Sequence, residues 1–277
     1  MIRDSKLYLL FKNVYCRFRD DDVPALGAQL TYYFILSFFP FLIFVVSLMS
    51  FVQLSGDSVV AELIRLLPEQ TGEAIEGILQ EVTSDSRGAL LSIGMIATLW
   101  SASNGVNAVI KGVNKAYDVE ESRPFWKVRA ISLAATVVLA IAIMLAIVLL
   151  IFGEVIGRFI FNWFPSPVGF GPIWDTLKYV VPISFMIVVF SLLYWIVPNR
   201  LISFKSALPG ALFATFGWIA TSLLFQFYIN HFGNYSKTYG SIGGIIILLI
   251  WLYISSIIIM LGGEINAALA SSSSKRE

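Results

Sequence analysis

The residues best placed to do chemistry lie in one stretch, Ser101 to Asp118, where Asn104, Asn107, Lys111, Asn114 and Asp118 recur at steps of three and four. That spacing lines side chains along one face of an α-helix. Val106, Val109, Ile110, Val113 and Tyr117 make the opposite face apolar. Two asparagines followed by a lysine offer neutral hydrogen bonds and one cation, which suits holding a polar or anionic headgroup better than breaking a bond. A second polar group, Gln226, Asn230 and His231, shares much of one face further along. Structural or interfacial hydrogen bonding and a pH-sensitive substrate contact are both open to it.

The inventory closes several routes. One histidine and one cysteine do not make the clustered ligands of a zinc site or a metal hydrolase. No GxxxxGK[ST] phosphate loop is present, and His231 has no serine elbow to work with. No catalytic residue, metal site or cofactor is therefore expected. A net charge of +1 argues against a nucleic-acid partner. The lone Cys16 rules out a disulfide within the chain.

The elements that must position these groups are membrane helices. At 57% hydrophobic and 13% charged residues, the composition departs far from that of a soluble domain. It predicts an all-α integral membrane protein with six transmembrane helices, near 26–52, 89–110, 130–152, 177–197, 206–230 and 240–263. No Asp, Glu, Lys or Arg falls in the middle third of any span. Ordinary proton-coupled transport is disfavoured on that ground, while sodium coupling through carbonyls and hydroxyls stays open. Lys and Arg number five before the first span, five between the second and third, two between the fourth and fifth and two in the tail, against five on the other side. The positive-inside rule then places both termini in the cytoplasm. The charged N-terminal segment has no apolar core followed by a cleavage site, so it does not read as a cleavable signal peptide.

Between the first two spans, the outer loop 54–88 carries a net charge of −5. Ile75, Ile78, Leu79 and Val82 mark an amphipathic helix inside it, either a cap or a lid. Pro40 predicts a kink in the first span, and Pro209 with Gly210 a helix entry at the fifth. Gly105, and Gly240 with Gly244, belong to small-residue series at four-residue steps that let helix backbones approach closely, as do Gly153 and Gly157, and Gly243 is a further hinge or packing position. Asn114, Arg123, Lys127, Glu264 and Asn266 fall at or beyond the cytoplasmic boundary, where a solvated face accounts for Asn114 and Asp118, and Glu264 is either solvated or paired with a loop cation. That leaves Asn104, Asn107 and Lys111 as either a substrate contact or polar helix glue.

Seven ordered blocks carry a resemblance: Ala28–Pro40 (AQLTYYFILSFFP), Leu99–Gly105 (LWSASNG), Asn114–Tyr117, Arg123–Lys127 (RPFWK), Leu208–Ala211 (LPGA), Tyr239–Gly243 and Gly263–Asn266 (GEIN). Together they resemble the YihY/virulence factor BrkB family of bacterial inner-membrane proteins. The resemblance implies six spans with cytoplasmic ends and a link to serum resistance and lipid export. It also brings an old ribonuclease label, which the residue inventory does not support. The expected activity is a transporter or flippase-like movement of a lipid or other amphiphile across the bacterial cytoplasmic membrane. In it Asn104 and Asn107 would bind the headgroup, Lys111 would attract an anion and the aromatic first span would hold acyl chains. Expected partners are membrane lipids and a further copy of the chain or an envelope protein. The alternative is a non-transporting envelope scaffold or receptor, and an intramembrane enzyme comes third.

Overall fold

The computed structural model of the chain describes residues 6–51, 88–163, 170–232 and 242–274, and these are helical almost throughout. The helices are α1 (Lys6–Asp20), α2 (Val23–Phe51), α3 (Gly88–Ala116), α4 (Phe125–Trp163), α5 (Phe170–Ile196), α6 (Phe204–Phe232) and α7 (Gly243–Ser274). By length and apolarity, Ile173–Ile196, Phe204–His231 and Gly243–Ser271 suffice to cross a membrane. Gly240, the side chain of Pro40 and the outer loop up to residue 87 lie outside the described residues.

Helix α1 has no counterpart among the expected elements, because its many charges disguise a helical pattern. Leu10, Asn13, Val14, Arg17 and Phe18 are half-buried at steps of three and four, and this side packs on α7 and α2. A two-residue turn joins α1 to α2. There Asp21 and Asp22 donate their N–H groups to the carbonyls of Arg17 and Arg19, and Asp22 takes the left-handed conformation, φ 53°. Aspartate tolerates that region better than most residues. The Asp22 carbonyl then accepts from Leu26 N–H and opens α2.

Helix α7 occupies the middle, touching α6, α2, α1 and α3, while α2 packs most extensively on α3. The apolar face foreseen on α3 supplies the core: Val106, Val109, Ile110, Val113 and Tyr117 are all buried, beside Leu30, Tyr194 and Met260. In a bilayer, close backbone approach and polar contacts replace the hydrophobic drive between helices. Gly105 faces Tyr33 and Phe34, Gly112 faces Met260, and Gly153 and Gly157 seat the Trp174 ring. The tightest approach is Gly210 of α6 against Gly262 of α7, where a Cβ on Gly210 would meet the Gly262 carbonyl and the Asn266 amide. Beside it the buried Tyr194 hydroxyl donates to the Ile259 carbonyl at 2.6 Å. Thr31 with Ser256, Trp218 with Ser255 and Trp251 with Ser222 add hydrogen bonds between helices.

Pro209 is not at the helix entry. α6 opens five residues earlier at Phe204, with Ser203 Oγ accepting the Ser206 N–H as a cap. The proline sits in the second turn, and next to it Asn266 Oδ1 accepts from Gly210 N–H at 2.7 Å while its Nδ2 donates to the Ala207 carbonyl at 3.1 Å.

Candidate functional site

The polar residues of the α3 stretch separate into three environments. Nearest the helix end, Asn114 is 4% exposed. Its Nδ2 donates to Glu121 at 2.8 Å and its Oδ1 accepts the Asn199 N–H at 2.7 Å. This corrects the solvated face expected for Asn114. The linker after α3 turns back over the helix end instead of running into water, and it brings Glu121 and Arg123 with it. Arg123 grips Glu121 with Nε and Nη2 at 2.7 and 2.6 Å, and Nη2 reaches the Val197 carbonyl at 3.2 Å. The guanidinium holds the Glu121 carboxyl below its ordinary range, since it favours the charged form. Asn199 completes the tie to Glu120 and Ser122. Lys127 is exposed.

A second cluster pins α1. Arg17 donates to the Ala116 carbonyl at 2.5 Å and to Asp118 at 3.3 Å, and its Nη1 stands 4.0 Å from Glu264. Asp118 is exposed, as expected. Glu264 and Asn266 are each 1% exposed, so neither is a solvated boundary group. α7 runs on to Ser274, past the end expected at 263, and α1 and α6 pack on it, with Arg17 beside Glu264 and Ala207 and Gly210 on Asn266. Asp21, beside this cluster, is pushed above the usual carboxylate range by burial.

The third environment is Asn104, whose Oδ1 accepts from Arg129 Nη1 of α4 at 2.7 Å. The Arg129 guanidinium lies 3.9 Å over the Trp100 ring, and Trp100 is 61% exposed. Arg129 Nε and Nη2 are shielded from solvent and have no hydrogen-bond partner. The structure thus pairs Asn104 with a cation that sequence spacing did not select. Its one signal was position, since Arg129 is the last charge before the long apolar run of α4. Asn107 is half-buried and Lys111 exposed.

Gln226, Asn230 and His231 are not brought to this group. They are exposed on α6, which packs on α5 and α7, and His231 Nδ1 meets the Phe227 carbonyl of its own helix at 2.9 Å. An open depression of about 380 Å³ lies elsewhere, lined by Trp195, Asn199, Arg200 and Leu201 among others. Among the described residues, no three His, Cys, Asp or Glu side chains gather as metal ligands.

Long apolar helices, outward-facing Val137, Val138, Leu223 and Leu224, and polar ties gathered where the short linkers run define a helical membrane protein. The chain belongs to the Virulence factor BrkB family, whose model matches residues 14–277. It is 44% identical over 258 residues, 93% of this chain and 94% of the relative, to the protein named ribonuclease-like protein YfkH of Bacillus subtilis (strain 168). It is 42% identical over 91 residues, 33% of this chain and 30% of the relative, to UPF0761 membrane protein PSHAa0171 of Pseudoalteromonas translucida (strain TAC 125). UPF0761 membrane protein PSPA7_4558 of Pseudomonas paraeruginosa (strain DSM 24068 / PA7) is 26% identical over 267 residues, 92% of this chain and 61% of that protein. No solved structure matches the chain.

Proposed function

We propose that this chain moves an anionic amphiphile, in the first place a lipid, across the bacterial cytoplasmic membrane, with α2 to α7 as six crossing helices and both termini inside. One observation carries the reading: a half-paired guanidinium beside an exposed tryptophan, at the level of Asn104. Asn104 lies about 22 Å along α3 from Ala89 at 1.5 Å per residue, which puts it in the inner-leaflet half. An ionisable group held in such a place is costly and is a functional candidate by default. The guanidinium fork matches the geometry of a phosphate, and Nε and Nη2 are the donors left to offer one. Trp100 offers apolar surface to the attached chains. Arg129 therefore takes the role that spacing assigned to Lys111, with Asn104 holding the guanidinium by its third nitrogen. Without a nucleotide site, movement runs downhill or draws on a gradient or partner.

The test is reconstitution with fluorescent phospholipids. Translocation above that of empty liposomes is expected, reduced by Arg129→Gln; wild-type rates equal to empty liposomes across several headgroups would sink the proposal. A second reading, a non-transporting scaffold, is favoured by the close packing of Tyr194, Gly210 and Gly262, which leaves no through-path there. It predicts a stable envelope partner captured by crosslinking in cells and lost on deletion of residues 57–85. An RNA-cleaving reading has only the exposed His231 to draw on as a neutral-pH base.

A further inference from the structure

We infer that α1 lies in the headgroup region of the membrane, with Tyr8, Phe11 and Tyr15 inserted among anionic lipids. The roll of α1 is fixed by Arg17, which reaches the Ala116 carbonyl, Asp118 and Glu264 from the side that packs on the bundle. That anchor turns a second stripe outward: Tyr8, Phe11 and Tyr15, at steps of three and four, are 41%, 67% and 68% exposed. Three rings in one row on a helix this amphipathic are a surface to be covered, and tyrosine, with an apolar body and a polar tip, suits the boundary between hydrocarbon and water. Exposed Lys12 and Arg19 flank the stripe and match the charge of anionic headgroups. The occupant is a lipid surface because of where α1 is tethered. Two residues join it to α2, and it packs across α7, a helix long and apolar enough to cross the membrane. It therefore cannot leave the membrane boundary without tearing out Arg17. This inference is independent of any transport activity.

The experiment uses the full chain carrying Cys16→Ser, with single cysteines introduced by Phe11→Cys, Tyr15→Cys or Asp20→Cys and labelled with an environment-sensitive dye. Each is reconstituted into vesicles of phosphatidylcholine and phosphatidylglycerol. Iodide quenching is expected to be about threefold weaker at positions 11 and 15 than at position 20, with quenching at 11 and 15 by lipids brominated near the headgroup. Equal iodide access at all three positions overturns the inference. So does protection at 11 and 15 that vanishes on dilution into excess lipid while disulfide crosslinks between unlabelled position-11 cysteines disappear, because a second copy is then the occupant.

Discussion

Arg123, in the linker just before α4, and Arg129, in the helix's second turn, are six residues apart, and the protein uses them in opposite ways. Arg123 spends its nitrogens on Glu121 and the Val197 carbonyl. Arg129 gives one nitrogen to Asn104 and keeps Nε and Nη2 without partners. A satisfied buried cation stabilises the arrangement that satisfies it, whereas an unsatisfied one is a standing cost of a few kcal/mol. The contrast teaches where to look for function: around Arg123 the polar groups close on one another, and around Arg129 they stop short.

That contrast predicts a steep gradient of mutational effects, greatest where the closed network meets the tightest backbone contact. Gly210→Val should be the most damaging change, since its side chain collides with the Gly262 carbonyl and the Asn266 amide. A loss of about 3 kcal/mol or more is expected, read as a collapse of the thermal transition in detergent. Asn266→Ala should follow at about 2 kcal/mol, because it leaves the buried Gly210 N–H unpaired. A normal melting temperature for either variant would break the claim that this end is closed.

The sharpest comparison is between the arginines themselves. Arg123→Met should lower stability by about 1–2 kcal/mol while leaving translocation per folded molecule unchanged. Arg129→Met should do the reverse, leaving the melting temperature unchanged or higher and lowering translocation about tenfold, the equivalent of one charge-assisted hydrogen bond. If both variants lose stability and activity together, the two sites are alike and the distinction falls.

Acid gives a smaller and signed effect. Glu121 has its carboxyl depressed in the folded chain, so its contribution is present above the unfolded value near 4.5 and is lost as pH falls below it. The wild-type melting temperature should drop through that window by more than it does in Glu121→Gln. Smallest of all, His231→Ala on the exposed face of α6 should change stability by less than about 0.5 kcal/mol and leave translocation intact. A loss of translocation there would return the α6 group to the site.

Much of the fold was legible because a long apolar run has few alternatives in lipid. α2 to α7 are helices that overlap the six apolar runs, three of them long and apolar enough to cross a membrane, and the apolar face of Ser101–Asp118 lies in the core. Gly105 does lie against Tyr33 and Phe34 of α2, while Gly240 falls outside the described residues. The polar residues were misread wherever distant segments met. Asn114 is buried by a linker whose return over α3 has no local signal, and Asn266 by a helix that outlasts its hydrophobic run. Helix α1 was hidden because Asn13 and Arg17 occupy its bundle-facing side, so the pattern looked charged instead of amphipathic. Arg129 could not be foreseen as the partner of Asn104, since 25 residues and a helical hairpin separate them.

The contact of Gly210 with Gly262 also has a mechanical meaning. Helices whose backbones touch and share the Asn266 amide slide past each other only by breaking both, so α6 and α7 travel together, with α5 joined to them through Tyr194. α4 joins the bundle through side chains, among them Arg129 on Asn104, Val128 and Ile131 on the core, and its glycines against the Trp174 ring. The guanidinium with two unpartnered nitrogens thus sits on a helix outside that joined trio.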